Sequence, residues 1–389
     1  MKNGEERLFT PNFLLTTLTS FANAFVQQTL SVTLPLYAIA LGGNKTDAGL
    51  VSSGIVALTA LLLRPFVGWL TDAWRRRPLM LGGFSLYGLA SMIYLLVGSV
   101  PLLLAGRFVH GVGLCCYTTA SNAYVADIAP PRRRGEAMGF FSAAQATGQI
   151  IGPLVGFLLI GSFGFQPLFC LTGGLACLGF LLSFFTRERR ESGHSQRQPW
   201  SPRTGIVAVE SLPVAGIALG IGASWGTTCA FTALFAQSRG LENPGFYFMI
   251  QAAALLIARM IAGPLADRHN RAAVILPGIL LMTLSLLMLP WAKGVPYFLV
   301  SATLNGFGFG IAQPATMALL IDRVRPERRG LAVGTYFTGY DTGNVIGAIL
   351  LGAVSQYWGL STMWLLAAAL NFLGLAGLLA DRRRSRPTG

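Results

Sequence analysis

Apolar residues run through this chain in stretches too long and too continuous for the one-sided faces of a soluble fold. A helix needs ~20 consecutive apolar residues to cross the hydrocarbon core of a bilayer. Such runs occur at about 12–40, 48–70, 79–99, 102–124, 136–160 and 165–186, and again at about 206–238, 244–266, 273–292, 296–320, 331–356 and 360–380. The pattern predicts an all-α membrane protein of twelve transmembrane helices in two pseudo-symmetric six-helix bundles, 1–186 and 205–389, joined by a linker at 187–204. That linker is rich in Arg, Ser, Gln and Pro, the composition of a solvated, flexible connection.

The two sets of runs are copies. Arg64, Gly68, Asp72 and Arg76 recur as Arg259, Gly263, Asp267 and Arg271, each displaced by 195 residues. The same offset carries Pro101 to Pro296, Gly113 to Gly308, Asp127 to Asp322, and Gly148 and Gly152 to Gly343 and Gly347. Solenoid periods are about 20–50 residues, so this repeat is a duplicated half-protein. Duplicated positions report the shared scaffold; positions where the copies disagree are the candidates for a specific task.

Charge settles which way the helices face. Only 11% of the residues are charged, against roughly a quarter in soluble chains, yet the net charge is +14. The arginines cluster in alternate loops, at Arg75–Arg77, Arg132–Arg134, Arg187–Arg203, Arg268–Arg271, Arg323–Arg329 and Arg382–Arg386, while the intervening loops carry only Lys45, Arg239 and Lys293. This is the positive-inside pattern. It predicts a multi-pass protein of the cell (inner) membrane with both termini in the cytoplasm, in contact with the lipid bilayer and with no nucleic-acid partner. Residues Met1–Thr10 lead into the first run without a small-residue cleavage site, so no cleaved signal peptide is expected. The five cysteines fall inside predicted spans without metal-type spacing, which reads as packing. No metal site and no cofactor are expected.

The segment Gly68-Trp-Leu-Thr-Asp72-Ala-Trp-Arg-Arg76-Arg77 closely resembles the loop 2–3 signature of the major facilitator superfamily, and Gly263-Pro-Leu-Ala-Asp267-Arg268-His-Asn-Arg271 is its second copy. Two further matches are Arg107-Phe-Val-His-Gly111-Val-Gly113 in span 4 and Gly148-Gln-Ile-Ile-Gly152-Pro153-Leu-Val-Gly156 in span 5. The resemblance covers essentially the whole chain. It implies a secondary transporter in which the loop signatures, with Asp127, latch the halves on the cytoplasmic side. It also implies that Gly148, Gly152, Pro153 and Gly156 form the exporter-type motif of drug–proton antiporters. Gly68 is expected to let helix backbones approach closely. Ala73 and Arg75 depart from the usual signature, which points to a first latch wired differently from the second.

Ionisable residues inside apolar spans are costly and need a reason to be there. Arg107 has Ala302 as its repeat partner and Asp341 has Ala146, so the scaffold requires neither charge. A carboxylate in hydrocarbon is disfavoured in its charged form, and a nearby arginine favours it again; Asp341 is thus a candidate proton carrier. Arg107 resembles the family's span 4 arginine, and the resemblance implies a part in proton coupling, against the alternative of a buried structural ion pair. His110, one turn after Arg107, is either a pH-sensitive group or a neutral hydrogen-bonding stand-in for the family's Gln. Asn23, Gln27, Gln28, Tyr117, Asn122, Gln145, Gln149, Trp225, Phe231, Gln251, Asn305, Gln313, Tyr340 and Asn344 are candidates either for a substrate cavity of amides and aromatics or for interhelical hydrogen bonding.

The chain therefore reads as a proton-coupled exporter of a small organic molecule, working by alternating access and functional as a monomer. A metabolite exporter, for a sugar or an opine-type metallophore, and a proton-coupled importer remain open. A membrane receptor is a non-transport alternative, and an intramembrane enzyme lacks the paired carboxylates, HExxH or nucleophile–base spacing it would need.

Overall fold

The structure, a computed structural model, describes residues 8–73, 75–130, 133–187, 208–240, 243–268, 271–324 and 329–384; within these, the side chains of 72, 73, 134, 135, 262–268, 329, 330, 373 and 375–384 are excluded. Of the linker expected at 187–204 only Arg187 is among the described residues. The helices are α1 (Pro11–Ala40), α2 (Lys45–Gly49), α3 (Ile55–Ala73), α4 (Arg76–Leu95), α5 (Val100–Ile128), α6 (Arg134–Phe163), α7 (Phe165–Phe185), α8 (Leu212–Ser238), α9 (Gly245–Arg268), α10 (Arg271–Met288), α11 (Val295–Arg323), α12 (Arg329–Val345) and α13 (Leu351–Arg384). No strand occurs among the described residues.

Local chemistry sets the ends of these helices. Pro101 and Pro296, copies of one another, sit in the first turns of α5 and α11, where a missing N–H costs nothing. Asn44 and Asp47 close α2 with a capping box, the Asn44 side chain accepting from the Asp47 N–H at 3.0 Å and the Asp47 carboxylate from the Asn44 N–H at 2.9 Å. Two π-helical turns, Leu50–Gly54 and Ile346–Leu350, join α2 to α3 and α12 to α13.

Nine helical segments among the described residues are long and apolar enough to cross a membrane, and Gly245–Ile261 is a shorter apolar one. Twelve were expected, and the difference has three sources. The polar Thr, Ser, Asn and Gln of α1 dilute its apolarity; in α9 the described side chains end at Ile261, inside the span; and spans 11 and 12 run together as Leu331–Phe372. Within that last segment Gly359 adopts φ 85°, ψ 163°, a conformation open to glycine, and breaks the helix where a loop was expected.

Contacts divide the chain into two compact units, Met1–Leu30 with Leu62–Ser201, and Ser31–Leu61 with Pro202–Gly389. The division departs from the halves of the sequence repeat because residues 31–61, the second part of α1 and the first part of the next span, pack with the second unit.

In unit 1, Gly83 of α4 lies against Gly113 of α5, a Cβ on either falling within 3.0 Å of the other's carbonyl oxygen, and Gly278 and Gly308 repeat that contact between α10 and α11 in unit 2. Such backbone proximity is available only to small residues. In unit 2, α8 and α12 interlock from both sides: Gly222 and Gly226 meet the backbone of Tyr340 and Asn344, while Gly343 and Gly347 meet the carbonyls of Leu219 and Ala223. The segment 45–54 packs onto the same α12 region, with Gly49 against Ala348 and Gly54 against Ile349.

Candidate functional site

The duplicated signatures place an arginine at the start of α4 and of α10, and the duplicated aspartates stand near the ends of α5 and α11. Arg76 Nε lies 3.2 Å from Asp127 Oδ2, and Arg271 Nε lies 3.0 Å from Asp322 Oδ2. Arg76 also donates to the Thr71 carbonyl. Arg77 donates to the Phe184 carbonyl and sits 5.0 Å above the centre of the Phe184 ring. The side chains of Asp72, Asp267 and Arg268, and the surroundings of Gly263, lie outside the described residues. Among the described residues a Cβ placed on Gly68 meets no atom within 4 Å, whereas Gly83 and Gly113 make a close helix contact.

Deeper in unit 1 the expected residues gather around α1, α4 and α5. The Tyr87 hydroxyl donates to Asn23 Oδ1 at 2.5 Å, and the Tyr87 ring stacks on His110 with centroids 4.4 Å apart. His110 Nε2 lies 2.9 Å from Gln27 Oε1, so the ring nitrogen donates, an amide oxygen being an acceptor only. His110 Nδ1 is buried and has no hydrogen-bond partner among the described residues. Arg107 is fully buried and faces Tyr94 and Tyr87. Tyr117 shares a 2.8 Å hydrogen bond with Thr19. Gln28 is buried, Gln145 and Gln149 are half-buried, and Asn122 is exposed, bonding back to Thr118 of its own helix at 2.7 Å.

Tyr87 and Tyr94, which complete this network, carried no signal as isolated tyrosines in an apolar run. Their spacing of seven residues puts both on one face of α4, and that spacing is the trace these two leave in the sequence.

The exporter-type motif in α6 meets α1. A Cβ on Gly148 falls 2.5 Å from the Phe21 carbonyl oxygen and 2.9 Å from the Phe25 nitrogen, and one on Gly152 falls 2.5 Å from Thr29 Oγ1 and 2.7 Å from the Phe25 carbonyl oxygen. Pro153 and Gly156 are buried in the same helix.

In unit 2, Asp341 is 7% exposed in α12. The Arg259 Nη2 donates to Gln313 Oε1 at 3.2 Å, tying α9 to α11, and Arg259 also faces Tyr340. Trp225 of α8 stacks on Phe309 of α11, centroids 4.2 Å apart at 26°. Gln251 donates to Asn305 at 2.7 Å with both buried, and Ser53 donates to Asn344 at 2.8 Å. Phe231 is fully buried. The amides thus divide by use: Asn23, Gln251, Asn305 and Asn344 bind helix to helix, Gln145 and Gln149 keep part of their surface, and Gln313 does both, with Tyr340 likewise half-buried. No group of His, Cys, Asp and Glu able to hold a metal occurs among the described residues.

Known proteins place this architecture. The family model described as Major Facilitator Superfamily matches residues 16–258 and 244–389. An uncharacterised MFS-type transporter of Methanocaldococcus jannaschii is 24% identical, covering 96% of this chain and 98% of its own. The multidrug resistance protein MdtG of Citrobacter koseri is 27% identical over 91% of each chain. A bacterial homologue of the human lysosomal transporter Spinster, inward-facing and unoccupied, shares the fold with a TM-score of 0.77 at 14% identity over 98% of both chains. A POT family transporter in complex with a thioalcohol-conjugated peptide does so with a TM-score of 0.82 at 13% identity over 96% of both. The last two likenesses concern the fold alone. Long apolar helices, a duplicated glycine and ion-pair frame and a family match along the whole length agree: this multi-pass membrane transporter belongs to the major facilitator superfamily.

Proposed function

We propose that the chain exports a small organic molecule against proton entry, with both termini in the cytoplasm of a cell whose inner membrane it crosses. The observation that carries this reading is Asp341, a carboxylate buried in an apolar helix at a position where the repeat has Ala146. A scaffold that folds around alanine in one half has no structural need of a charge in the other, and a buried carboxylate is costly unless it is used. Proton uptake neutralises it, which is what a carrier in a low-dielectric path must do.

Two further features support export. The Gly148–Gly156 motif of α6 packs onto α1, and relatives over nine-tenths of the chain are named multidrug resistance proteins. Arg107, sealed against Tyr94 and Tyr87, acts on coupling through the unit 1 network rather than by touching substrate. The paired arginines and aspartates at the loop signatures, Arg76 with Asp127 and Arg271 with Asp322, serve as gates.

The test is transport in proteoliposomes under an imposed pH gradient. Asp341→Asn abolishes gradient-driven efflux while the protein still inserts and purifies. Wild-type rates in that variant would remove Asp341 from the mechanism.

A further inference from the structure

Arg259 is the copy of Arg64 and by symmetry belongs to the scaffold, but its surroundings in unit 2 are not those of a scaffold cation. It is half-buried on α9. Among the described residues its side chain makes one hydrogen bond, from Nη2 to Gln313, and no carboxylate lies within ion-pair distance of it. A guanidinium presents several N–H donors in a fixed fork, and one amide oxygen takes a single one of them. A partly desolvated cation without a counter-charge is costly in a membrane protein unless something else supplies the anion.

What surrounds the guanidinium defines that anion's company. Gln313 and Phe309 are four residues apart on α11 and share a helix face. Phe309 carries the stacked Trp225 ring, which is only half-buried. Tyr340 lies within electrostatic reach of Arg259, and its backbone abuts Gly222, less than one turn from Trp225. The partner of the arginine fork, Gln313, and the residue under the aromatic shelf, Phe309, are therefore about one helical turn, ~5.4 Å of rise, apart along α11. Beside Tyr340 is Asp341, and an ionised carboxylate there repels a bare anion but not a molecule that carries a positive charge as well.

The geometry points to Arg259 as the carboxylate-recognising group of a site in unit 2 that takes aromatic zwitterions, the flat ring lying on Trp225 and the carboxylate on the guanidinium. Gln313 holds the fork in place, and a guanidinium meets a carboxylate through paired N–H donors that an ammonium cannot match. The inference rests on the transport reading, because it takes Tyr340 and Asp341 to border the path of the cargo.

Two dyes that differ in one group test it. Rhodamine B is an aromatic zwitterion, and its ethyl ester is the same ring system as a cation. Binding to the purified full-length protein in detergent is followed by fluorescence anisotropy, with no proton gradient, so failure of coupling and failure of this site are seen separately. The wild type binds rhodamine B about tenfold more tightly than the ester, the scale of one charge-assisted contact. Arg259→Gln removes that preference and leaves ester affinity within about twofold, whereas Arg259→Lys keeps part of it. An arginine that merely ties α9 to α11 lowers both affinities alike and leaves their ratio unmoved; an unchanged ratio in Arg259→Gln, or no preference in the wild type, overturns the assignment.

Discussion

Arg76 Nε bonds Asp127 Oδ2 at 3.2 Å, and the copies of these residues, Arg271 and Asp322, bond through the same atoms at 3.0 Å. Both aspartates are about half exposed, at 58% and 52%. Exposed pairs contribute about 0–1 kcal/mol, so stability is a weak reason to have kept both. A gating role predicts that Asp127→Asn shifts the thermal midpoint in detergent by no more than about 1 kcal/mol allows yet lowers efflux several-fold. The charge exchange Arg76→Asp with Asp127→Arg restores part of the rate. If Asp127→Asn transports at the wild-type rate, the pair is not a gate.

Residues 45–54 attach to α12 and α13 through Gly49 against Ala348, Gly54 against Ile349, Ser53 to Asn344 at 2.8 Å and Lys45 Nζ to the Ser355 carbonyl at 3.3 Å. The closest of these contacts is backbone against backbone, which leaves no room for a side chain. Gly49→Ala is therefore expected to loosen the segment, at a cost of about 1–3 kcal/mol for overpacking. Hydrogen–deuterium exchange resolves the effect: amides of 45–54 and 346–350 exchange faster, while those of α4 and α5 are unaffected. Unchanged exchange at 45–54 contradicts the tight contact.

The fold was legible because each level of signal was long or repeated: ~20-residue apolar runs, arginines in alternate loops and glycines displaced by a fixed offset. What escaped was whatever depends on pairing across helices. Gly68 and Gly83 look alike in sequence, yet only Gly83 faces a neighbouring backbone, because helix rotation decides which small residue meets a partner. Asn23, Gln27 and Tyr117 were sound as polar residues in apolar helices but silent about their partners, Tyr87, His110 and Thr19. The departure of residues 31–61 from their own repeat half was equally hidden, since a hydropathy pattern records burial and not which neighbour provides it. Symmetry alone does not describe Arg259: its contact Gln313 corresponds to Thr118 in the other copy, a position where the repeat does not keep the residue type.

His110 separates a proton carrier from a fixed hydrogen-bond donor. Its Nε2 is engaged by Gln27 at 2.9 Å and its ring is stacked on Tyr87, within reach of the Arg107 charge. His110→Gln preserves a donor to Gln27 and is expected to keep at least about half the transport rate, with the shape of the pH–rate curve unmoved. His110→Leu removes the hydrogen bond to Gln27 and costs about 1 kcal/mol for its loss, seen as a lower unfolding midpoint. Loss of proton-driven transport in His110→Gln, with stability intact, makes the histidine a carrier.

The glycines of the two family motifs predict opposite outcomes for one chemical change. At Gly152 an added methyl meets Thr29 Oγ1 at 2.5 Å and the Phe25 carbonyl oxygen at 2.7 Å, whereas at Gly68 it meets nothing within 4 Å. Both positions are helical, where alanine is intrinsically better than glycine by about 1 kcal/mol. Gly68→Ala should thus leave the unfolding midpoint unchanged or slightly raised. Gly152→Ala must push α6 from α1, and the overpacking cost of about 1–3 kcal/mol exceeds the propensity gain. Its midpoint falls and its yield of folded protein drops. The same measurement on both variants decides the point: if Gly152→Ala is as stable as Gly68→Ala, the α1–α6 contact is looser than the structure has it, and the exporter-type motif is there for something other than packing.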